Sequence, residues 1–356
     1  MTPPWNKDIN RYIGKFKEIQ KAFRTYDAHV HPTEIICNLY NYQEDPELKG
    51  LYALGKAKYR NPSLEDLSKE HEGKTAIHSS KDYGRILPLM LRQVYSHTGP
   101  RVFGDYFDIL CIDRALLLPV SPETGTVEEQ MAASFEMFKN DDRFRLAGSI
   151  PNTVRNEYVA SYLKGQINDY GIAAVKVHPN VTGIDLATSA GKERVECILA
   201  AGGSLHLPVI IHGGRSEILG DTKGRFAEMA NFADIDFKTS SNVIIAHGGA
   251  YGMSDAEIAD RVIPSLKKLL STYGNLHIDL SGLQESAIVS LLSNVDTDRA
   301  LFGSDALYEN EIAMGMRLLY ALEKTGAKSD DALIRILSEN AARTIFREES
   351  RKASGV

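Results

Sequence analysis

Eight short apolar runs dominate this chain, at residues 25–31, 114–120, 144–150, 173–179, 208–213, 242–248, 276–282 and 300–306. Most are too uninterrupted to alternate between polar and apolar residues. Runs of that kind suit strands buried on both faces, as in a parallel sheet covered by helices. Helix-length amphipathic segments lie between them. Residues 127–139 place Met131, Phe135 and Phe138 on one side, and residues 156–170 carry Tyr158, Tyr162 and Ile167 before Gly171, a candidate left-handed C-cap. The sequence Ser254-Asp255-Ala256-Glu257 has the form of a capping box, opening a helix that runs to about Tyr273.

From the second run onward, strand plus helix recurs every ~25–35 residues, the spacing of βα units. Eight such units make a (β/α)8, or TIM, barrel. A doubly wound open sheet is the rival topology. Ligand-type residues stand at the ends of the first, fourth, fifth, sixth and eighth runs, and they converge on one point only if the sheet closes on itself. One segment breaks the rhythm: about 80 residues, from Glu34 to Asp113, separate the first run from the second. Connections this long inside a compact domain usually serve function. Because it emerges just after His31, this large insertion (34–113) is expected as a lid over the barrel mouth. Residues 1–24 read as an N-terminal helical extension, with a helix over 9–23 packed outside a barrel spanning 25–350.

A net charge of −6 on a chain with 25% charged residues gives no electrostatic reason to expect nucleic acid or an anionic membrane as partner. The N-terminus lacks an apolar signal region, and no stretch approaches the ~20 apolar residues of a bilayer span. A cytoplasmic location, a small-molecule substrate and no membrane are therefore expected, and a homo-oligomer is left open. Cys37, Cys111 and Cys197 are far apart and form no Cys-x-x-Cys pair. They read as reduced thiols rather than a disulfide framework or a thiolate zinc site.

Position along each run sorts the ligand candidates. In a parallel barrel the catalytic groups sit at the C-terminal ends of the strands. His29 and His31 occupy such an end in Asp27-Ala28-His29-Val30-His31, and as residues i and i+2 of a strand they point the same way. Lys176 and His178 close the fourth run, His212 the fifth in His212-Gly213-Gly214, His247 the sixth in Ala246-His247-Gly248-Gly249, and Asp305 the eighth in Gly303-Ser304-Asp305. His206 and His277 precede or open their runs and fall at the opposite face. His71, His78 and His97 lie in the insertion. Imidazole and carboxylate suit Zn²⁺, Fe²⁺, Mn²⁺ or Co²⁺, and a site of three histidines and one aspartate leaves room for a water whose pKa the metal lowers toward ~7. Asp305 would then be both a weak ligand and the base that takes the proton, and His247 could polarise a carbonyl or carry a proton.

These motifs resemble the amidohydrolase superfamily, in particular its amidohydrolase 2 branch of decarboxylase-, lactonase- and hydrolase-like barrels. Leu337-Ser338-Glu339-Asn340-Ala341-Ala342-Arg343 is similar to the branch's closing helix. The resemblance covers nearly all of Thr25 to Phe346, least in the insertion. It implies metal binding by His29, His31, His212 and Asp305, with His247 as the active-site histidine. Lys176 is where the reading forks. In two-metal relatives such as dihydroorotase a lysine in a similar stretch is carboxylated and bridges both metals, and the strand-six histidine becomes a ligand. Here the Lys176-Val177-His178-Pro179 form places His178 where dihydroorotase has Tyr. One tightly held ion is the adopted reading, with Lys176 as a buried counter-charge and His178 lining the pocket. Lys176 and His247 as bridging or second-metal groups are the alternative. Zn²⁺ is the expected ion.

Arg215, three residues after His212, is placed to bind a substrate carboxylate, with a surface salt bridge as the competing reading. Glu217, Arg60 and Arg92 are weaker candidates. Asp279 and Ser281, alternate residues on the seventh run, could orient a ligand from behind. No Gly-x-Gly-x-x-Gly, phosphate-binding loop or Gly-x-Ser-x-Gly elbow follows a strand, which leaves dinucleotide, nucleotide and serine-hydrolase chemistry unsupported. The expected reaction is hydrolysis of a C–N or C–O bond (amide, lactone or ester) in a small organic acid by metal-activated water. Non-oxidative decarboxylation of an aromatic or enol acid is the alternative, and a non-catalytic metal-binding barrel the third.

Overall fold

The computed structural model describes residues 4–31, 107–121, 127–216, 219–306, 309, 311–326 and 330–352. The expected lid at 34–113 falls almost wholly outside the described residues, as do Cys37, Arg60, His71, His78, Arg92, His97 and Glu217. Eight parallel strands follow one another in chain order: β1 Tyr26–Val30, β2 Arg114–Leu117, β3 Phe144–Ser149, β4 Ala174–Val177, β5 Val209–Gly214, β6 Val243–Tyr251, β7 Leu276–Asp279 and β8 Ala300–Leu301. The sheet then closes on itself. Val30 bridges Ala306 in parallel, the Ala28 N–H donates to the Phe302 carbonyl at 2.9 Å, and the Asp305 N–H donates to the His29 carbonyl at 2.8 Å. This is a (β/α)8 barrel, and the open-sheet rival is excluded.

The strands match the apolar runs, with two departures. The eighth run predicts a strand over 300–306, yet the ladder stops after Leu301. Beyond it the backbone bonds to β1 instead: the Ser304 N–H donates to Asp27 Oδ1 at 2.9 Å, and Asp305 takes a left-handed φ of 61°. Gly303 permits this close approach, because a Cβ there would stand 2.7 Å from the His29 Cβ. The sixth strand runs past its predicted end to Tyr251, whose partner is Gly214 after a register shift at the end of β5.

Helices cover the outside: α1 Ile9–Gln20, α2 Glu128–Phe138, α3 Val159–Tyr170, α4 Ser189–Ser204, α5 Ile263–Thr272, α6 Glu285–Leu292 and α7 Glu311–Thr325. Gly171 caps α3 at φ 62°, and the Ser254–Glu257 capping box is formed reciprocally. The helix that follows the box passes through a wide turn at Ile258–Val262. It does so just before Pro264, which has no N–H to give to the i−4 carbonyl. Between β5 and β6 the strand–helix rhythm fails. Short turns at Gly220–Lys223, Met229–Phe232 and Phe237–Thr239 replace a long helix, and Phe232, Ile235 and Phe237, all fully buried, fill the space a helix would occupy.

Two apolar layers result. Tyr26, Ala28, Leu116, Ala147, Ala174, Ile210, Ile244 and Leu301 fill the barrel interior, while a larger cluster packs the outer strand faces against the helices. The N-terminal α1 lies on α7. Phe16 is fully buried there, and Gly315 leaves it room, since a Cβ at that position would stand 3.0 Å from its ring. The Tyr12 hydroxyl donates to Glu323 at 2.8 Å.

Candidate metal centre

Above the apolar interior, at the carboxyl ends of the strands, lies a buried polar layer. His29, His31, Lys176, His212, His247, Asp279 and Asp305 are each at most 5% exposed. Two strands reach it by breaking their alternation. In β1, Tyr26 and Ala28 point into the interior cluster, a register irregularity falls between Asp27 and Val30, and His29 and His31 then face the mouth. In β6, Ile244 and Ala246 face inward, and the next residue, His247, joins the layer by adopting φ 57°. A non-glycine residue held there costs about 1–3 kcal/mol, a strain characteristic of functional positions.

The hydrogen-bond partners fix the imidazole tautomers. His29 Nδ1 lies 2.8 Å from Asp279 Oδ2, His31 Nδ1 2.9 Å from the Leu118 carbonyl, and His247 Nδ1 2.8 Å from the Ser281 carbonyl. A carboxylate and two carbonyls only accept, so each Nδ1 carries the proton and each Nε2 a lone pair. All three histidines are held neutral. Burial pushes His31 down to about 3 and His247 to about 4, and lowers His29, with the Lys176 charge acting in the same sense on His29 and His31.

The Nε2 atoms of His29 and His31 approach to 3.1 Å, and Asp305 Oδ1 stands 3.4 and 3.2 Å from them. Two lone pairs and a carboxylate oxygen packed this closely repel one another unless positive charge lies among them. Two donors about 2.1 Å from one ion at tetrahedral angles stand about 3.4 Å apart, so these separations match the edges of a coordination shell. His212 adds a buried Nε2 without a hydrogen-bond partner among the described residues, and its ring centroid is 4.9 Å from that of His247. The donor set therefore fits a divalent cation on His29, His31 and Asp305. His212 stands beside this trio rather than within its tight cluster of donor atoms.

Lys176 supplies one positive charge already. Its Nζ lies 3.2 Å from His29 Nε2, and burial pushes it down to about 8 against the pull of Asp279 and Asp305. His178, the residue after β4, and His212 on β5 stack face to face. Arg215 stands apart from this layer. Its guanidinium is held by Glu228 at 2.7 Å and by Glu257, the capping-box residue, at 2.8 Å, so two carboxylates already occupy the groups expected to hold a substrate. Cys111 and Cys197 are free thiols.

Two residues were not assigned roles from the sequence. Asp27 is fully buried, with Oδ1 accepting from the His29 and Ser304 N–H groups at 3.1 and 2.9 Å. Burial raises its carboxyl to about 7. Its only signal was its place two residues before His29. Tyr251 brings its ring 4.7 Å from His247 and 5.6 Å from His212, and nothing in its sequence setting marked it, because the left-handed glycines before it hide the strand's continuation. His277 lies at the opposite end of β7, and His206 is exposed before β5, as their positions in the sequence predicted.

No helix among the described residues is long and apolar enough to cross a membrane. No curated protein matches the chain. Solved structures do. The chain superposes on an amidohydrolase II at a TM-score of 0.54 and 16% identity, covering 90% of this chain and 99% of that one. A 2,6-dihydroxybenzoate decarboxylase complexed with 2,6-dihydroxybenzoate gives 0.53 and 13%, covering 90% and 99%. The 5-carboxyvanillate decarboxylase of Novosphingobium aromaticivorans, complexed with manganese and 4-hydroxy-3-methoxy-5-nitrobenzoic acid, gives 0.51 and 15%, covering 91% and 95%. At such identities the likeness speaks for the fold. The amidohydrolase family model matches residues 114–347, from the second strand through the closing helical segment. A match over most of the barrel, on a fold the solved structures share, decides the assignment: this chain is an enzyme of the amidohydrolase family.

Proposed function

We propose that the enzyme hydrolyses a C–N or C–O bond, in an amide, lactone or ester of a small organic acid, using one divalent cation held by His29, His31, His212 and Asp305. The observation that carries this reading is the placement of Asp305 Oδ1 within 3.4 Å of the inward Nε2 atoms of both His29 and His31. There a carboxylate can share a cation and still present an oxygen to a water. A bound cation supplies Lewis-acid charge, polarising a carbonyl and making water more acidic. Asp305 accepts the proton of the attacking water. His247, whose Nδ1–H is tied to the Ser281 carbonyl, has its Nε2 free to hydrogen-bond the substrate and to relay a proton toward the leaving group. Lys176 offsets the carboxylate charge beneath the site, and burial of the whole layer keeps bulk water from competing. Zn²⁺ is the expected ion. Mn²⁺, which accompanies the carboxyvanillate decarboxylase, is the first alternative, with Fe²⁺ or Co²⁺ also accommodated by these donors.

Decarboxylation of an aromatic acid is the second reading, favoured by the aromatic character of the site, where Tyr251 brings its ring 4.7 Å from His247 and 5.6 Å from His212 and can pack against a planar substrate. The related folds that act on dihydroxybenzoate and carboxyvanillate point the same way. In that reaction Asp305 or His247 would deliver the proton. One experiment separates the two. The Zn²⁺- and Mn²⁺-loaded enzyme is given lactones, amides and esters of small acids alongside hydroxybenzoates, with acid release and CO₂ release both recorded. Acid release without CO₂ is the expected result. CO₂ release alone establishes the second reading, and no turnover of any of these compounds by the metal-loaded enzyme counts against both.

A further inference from the structure

Asp279, the last residue of β7 and fully buried, is absent from the cation-binding set proposed above, yet it touches two members of the site by different means. Its Oδ2 accepts from the ring of His29 at 2.8 Å. Its Oδ1 accepts from the backbone N–H of His247 at 2.9 Å, from the backbone N–H of Ser281 at 3.1 Å and from the Ser281 hydroxyl at 2.5 Å. The His247 N–H it holds belongs to the residue strained at φ 57°. Two residues on, the Ser281 carbonyl takes the Nδ1–H of the same His247, and the Ser281 hydroxyl lies 3.0 Å from the Nδ1 atoms of both histidines. Each partner of the Asp279 oxygens is an N–H or O–H donor, so the carboxylate acts as an acceptor toward all of them.

His29, His247 and Asp279 also lie close enough to be considered as a cation site in their own right. The hydrogen bonds argue otherwise: both Nδ1 atoms donate to oxygen, which leaves no lone pair on that side, and the Ser281 hydroxyl fills the space between the rings. The carboxylate orients the rings from behind.

We propose that Asp279 is a positioning residue that fixes the Nδ1–H tautomer of His29 and pins the backbone of His247, so that one strand-seven carboxylate aims the strand-one and strand-six imidazoles at the same point. The inference rests on the functional reading above in taking His29 as a cation ligand and His247 as the proton carrier. A carboxylate behind a ligating imidazole raises its basicity and holds its ring plane, and removing such a partner typically weakens metal binding by about 10–100-fold. Here the same group also stabilises a left-handed backbone at a second site residue, which joins ligand geometry and proton-carrier geometry in one side chain.

The test uses ¹⁵N-histidine-labelled full-length protein, metal-free and then titrated with Zn²⁺ alone. Metal-free wild type is expected to show His29 protonated at Nδ1. The substitution Asp279→Asn is nearly isosteric and still offers an oxygen to the His247 N–H. The amide nitrogen that it turns toward His29 donates instead of accepting, so the ring is expected to shift its proton to Nε2 and Zn²⁺ binding to weaken by about 10–100-fold. A purely structural role would move the melting temperature and leave the tautomer as it was. A His29 protonated at Nε2 in wild type overturns the proposal, as does an Asp279→Asn protein with wild-type tautomer and wild-type Zn²⁺ affinity. If Asp279→Asn does not fold, the wild-type spectrum and Ser281→Ala still decide. Ser281→Ala keeps the carboxylate on His29 and should retain both the tautomer and the affinity, whereas a loss matching that expected for Asp279→Asn would assign the positioning to the hydroxyl. Failure of the hydrolytic reading looks different: tight Zn²⁺ binding with the expected tautomer and no release of acid from any ester, lactone or amide.

Discussion

His178 and His212 lie face to face, with ring centroids 3.9 Å apart and planes 10° from parallel. Burial pushes both well below the usual histidine range, so the pair stacks as two neutral rings without charge repulsion. His178 Nδ1 and His212 Nε2 both lack a hydrogen-bond partner among the described residues. Such buried orphan atoms are costly unless a ligand satisfies them.

The stacked pair divides its work between metal and substrate. The expectation is that His212→Ala weakens Zn²⁺ binding by at least tenfold, as loss of a ligand does, while His178→Ala keeps the metal and raises KM by about tenfold, the worth of one hydrogen bond to substrate. Metal content by mass spectrometry and steady-state kinetics check the pair of variants. Equal metal loss in both would place His178 among the ligands.

A second expectation separates holding a cation from moving a proton. Asp305→Asn keeps an oxygen beside His29 and His31 but removes the base, so much of the metal should stay bound while turnover falls by about 10²-fold or more. His247→Asn should keep its metal if a single ion is bound, and lose part of it if Lys176 bridges a pair. Metal-to-protein ratios of the two variants supply the measurement. Undiminished turnover in Asp305→Asn would sink both the hydrolytic and the decarboxylative reading.

The barrel was legible because its strands are buried on both faces, and uninterrupted apolar runs such as Val209-Ile210-Ile211, too short for a long helix, suit a strand covered on both sides. The strand-end address of His29, His31 and Asp305 was legible for a related reason: closure brings such ends together. What the pattern did not reveal depends on backbone geometry between strands. The left-handed turns at His247 and Asp305 and the irregularity in β1 shift side-chain phase by one residue, and period-two reasoning carries no information about such a shift. The ion pairs of Arg215 draw on Glu228 and Glu257, 13 and 42 residues away. That pairing becomes visible only once β5, β6 and the capping box are assembled.

Gly303, two residues past β8, offers a test of how tightly the chain leaving that strand is pressed on β1. A Cβ there would meet the His29 Cβ at 2.7 Å and the Ser281 Cβ at 3.0 Å, both short, stiff parts of side chains close to the backbone. Gly303→Ala is therefore expected to cost about 1–3 kcal/mol, as overpacking does, and to displace His29 enough to weaken Zn²⁺ binding. Chemical denaturation and a Zn²⁺ titration read the two effects. Unchanged stability with unchanged affinity would show that the two segments are less closely apposed than described.

The final expectation concerns His277 at the opposite end of the barrel. This residue is 4% exposed, with Nδ1 3.2 Å from the Asn275 carbonyl. Burial, reinforced by the nearby Arg299 charge, pushes it down to about 4. The unfolded chain therefore binds this proton more readily than the folded one. Its contribution to stability is complete above the unfolded histidine value of about 6.5 and is lost as pH falls from there toward about 4. At roughly 1.4 kcal/mol per pKa unit the full effect is at most about 3.5 kcal/mol. Replacing the imidazole by a group that does not titrate, as in His277→Gln, should lower stability at pH 7.5 through lost packing yet make the fall between pH 6.5 and 4.5 shallower than in wild type. Denaturation midpoints at the two pH values measure the difference, and the comparison cancels the histidines and carboxyls that both proteins share. Parallel curves for the two proteins would show that His277 is protonated alike in the folded and unfolded states.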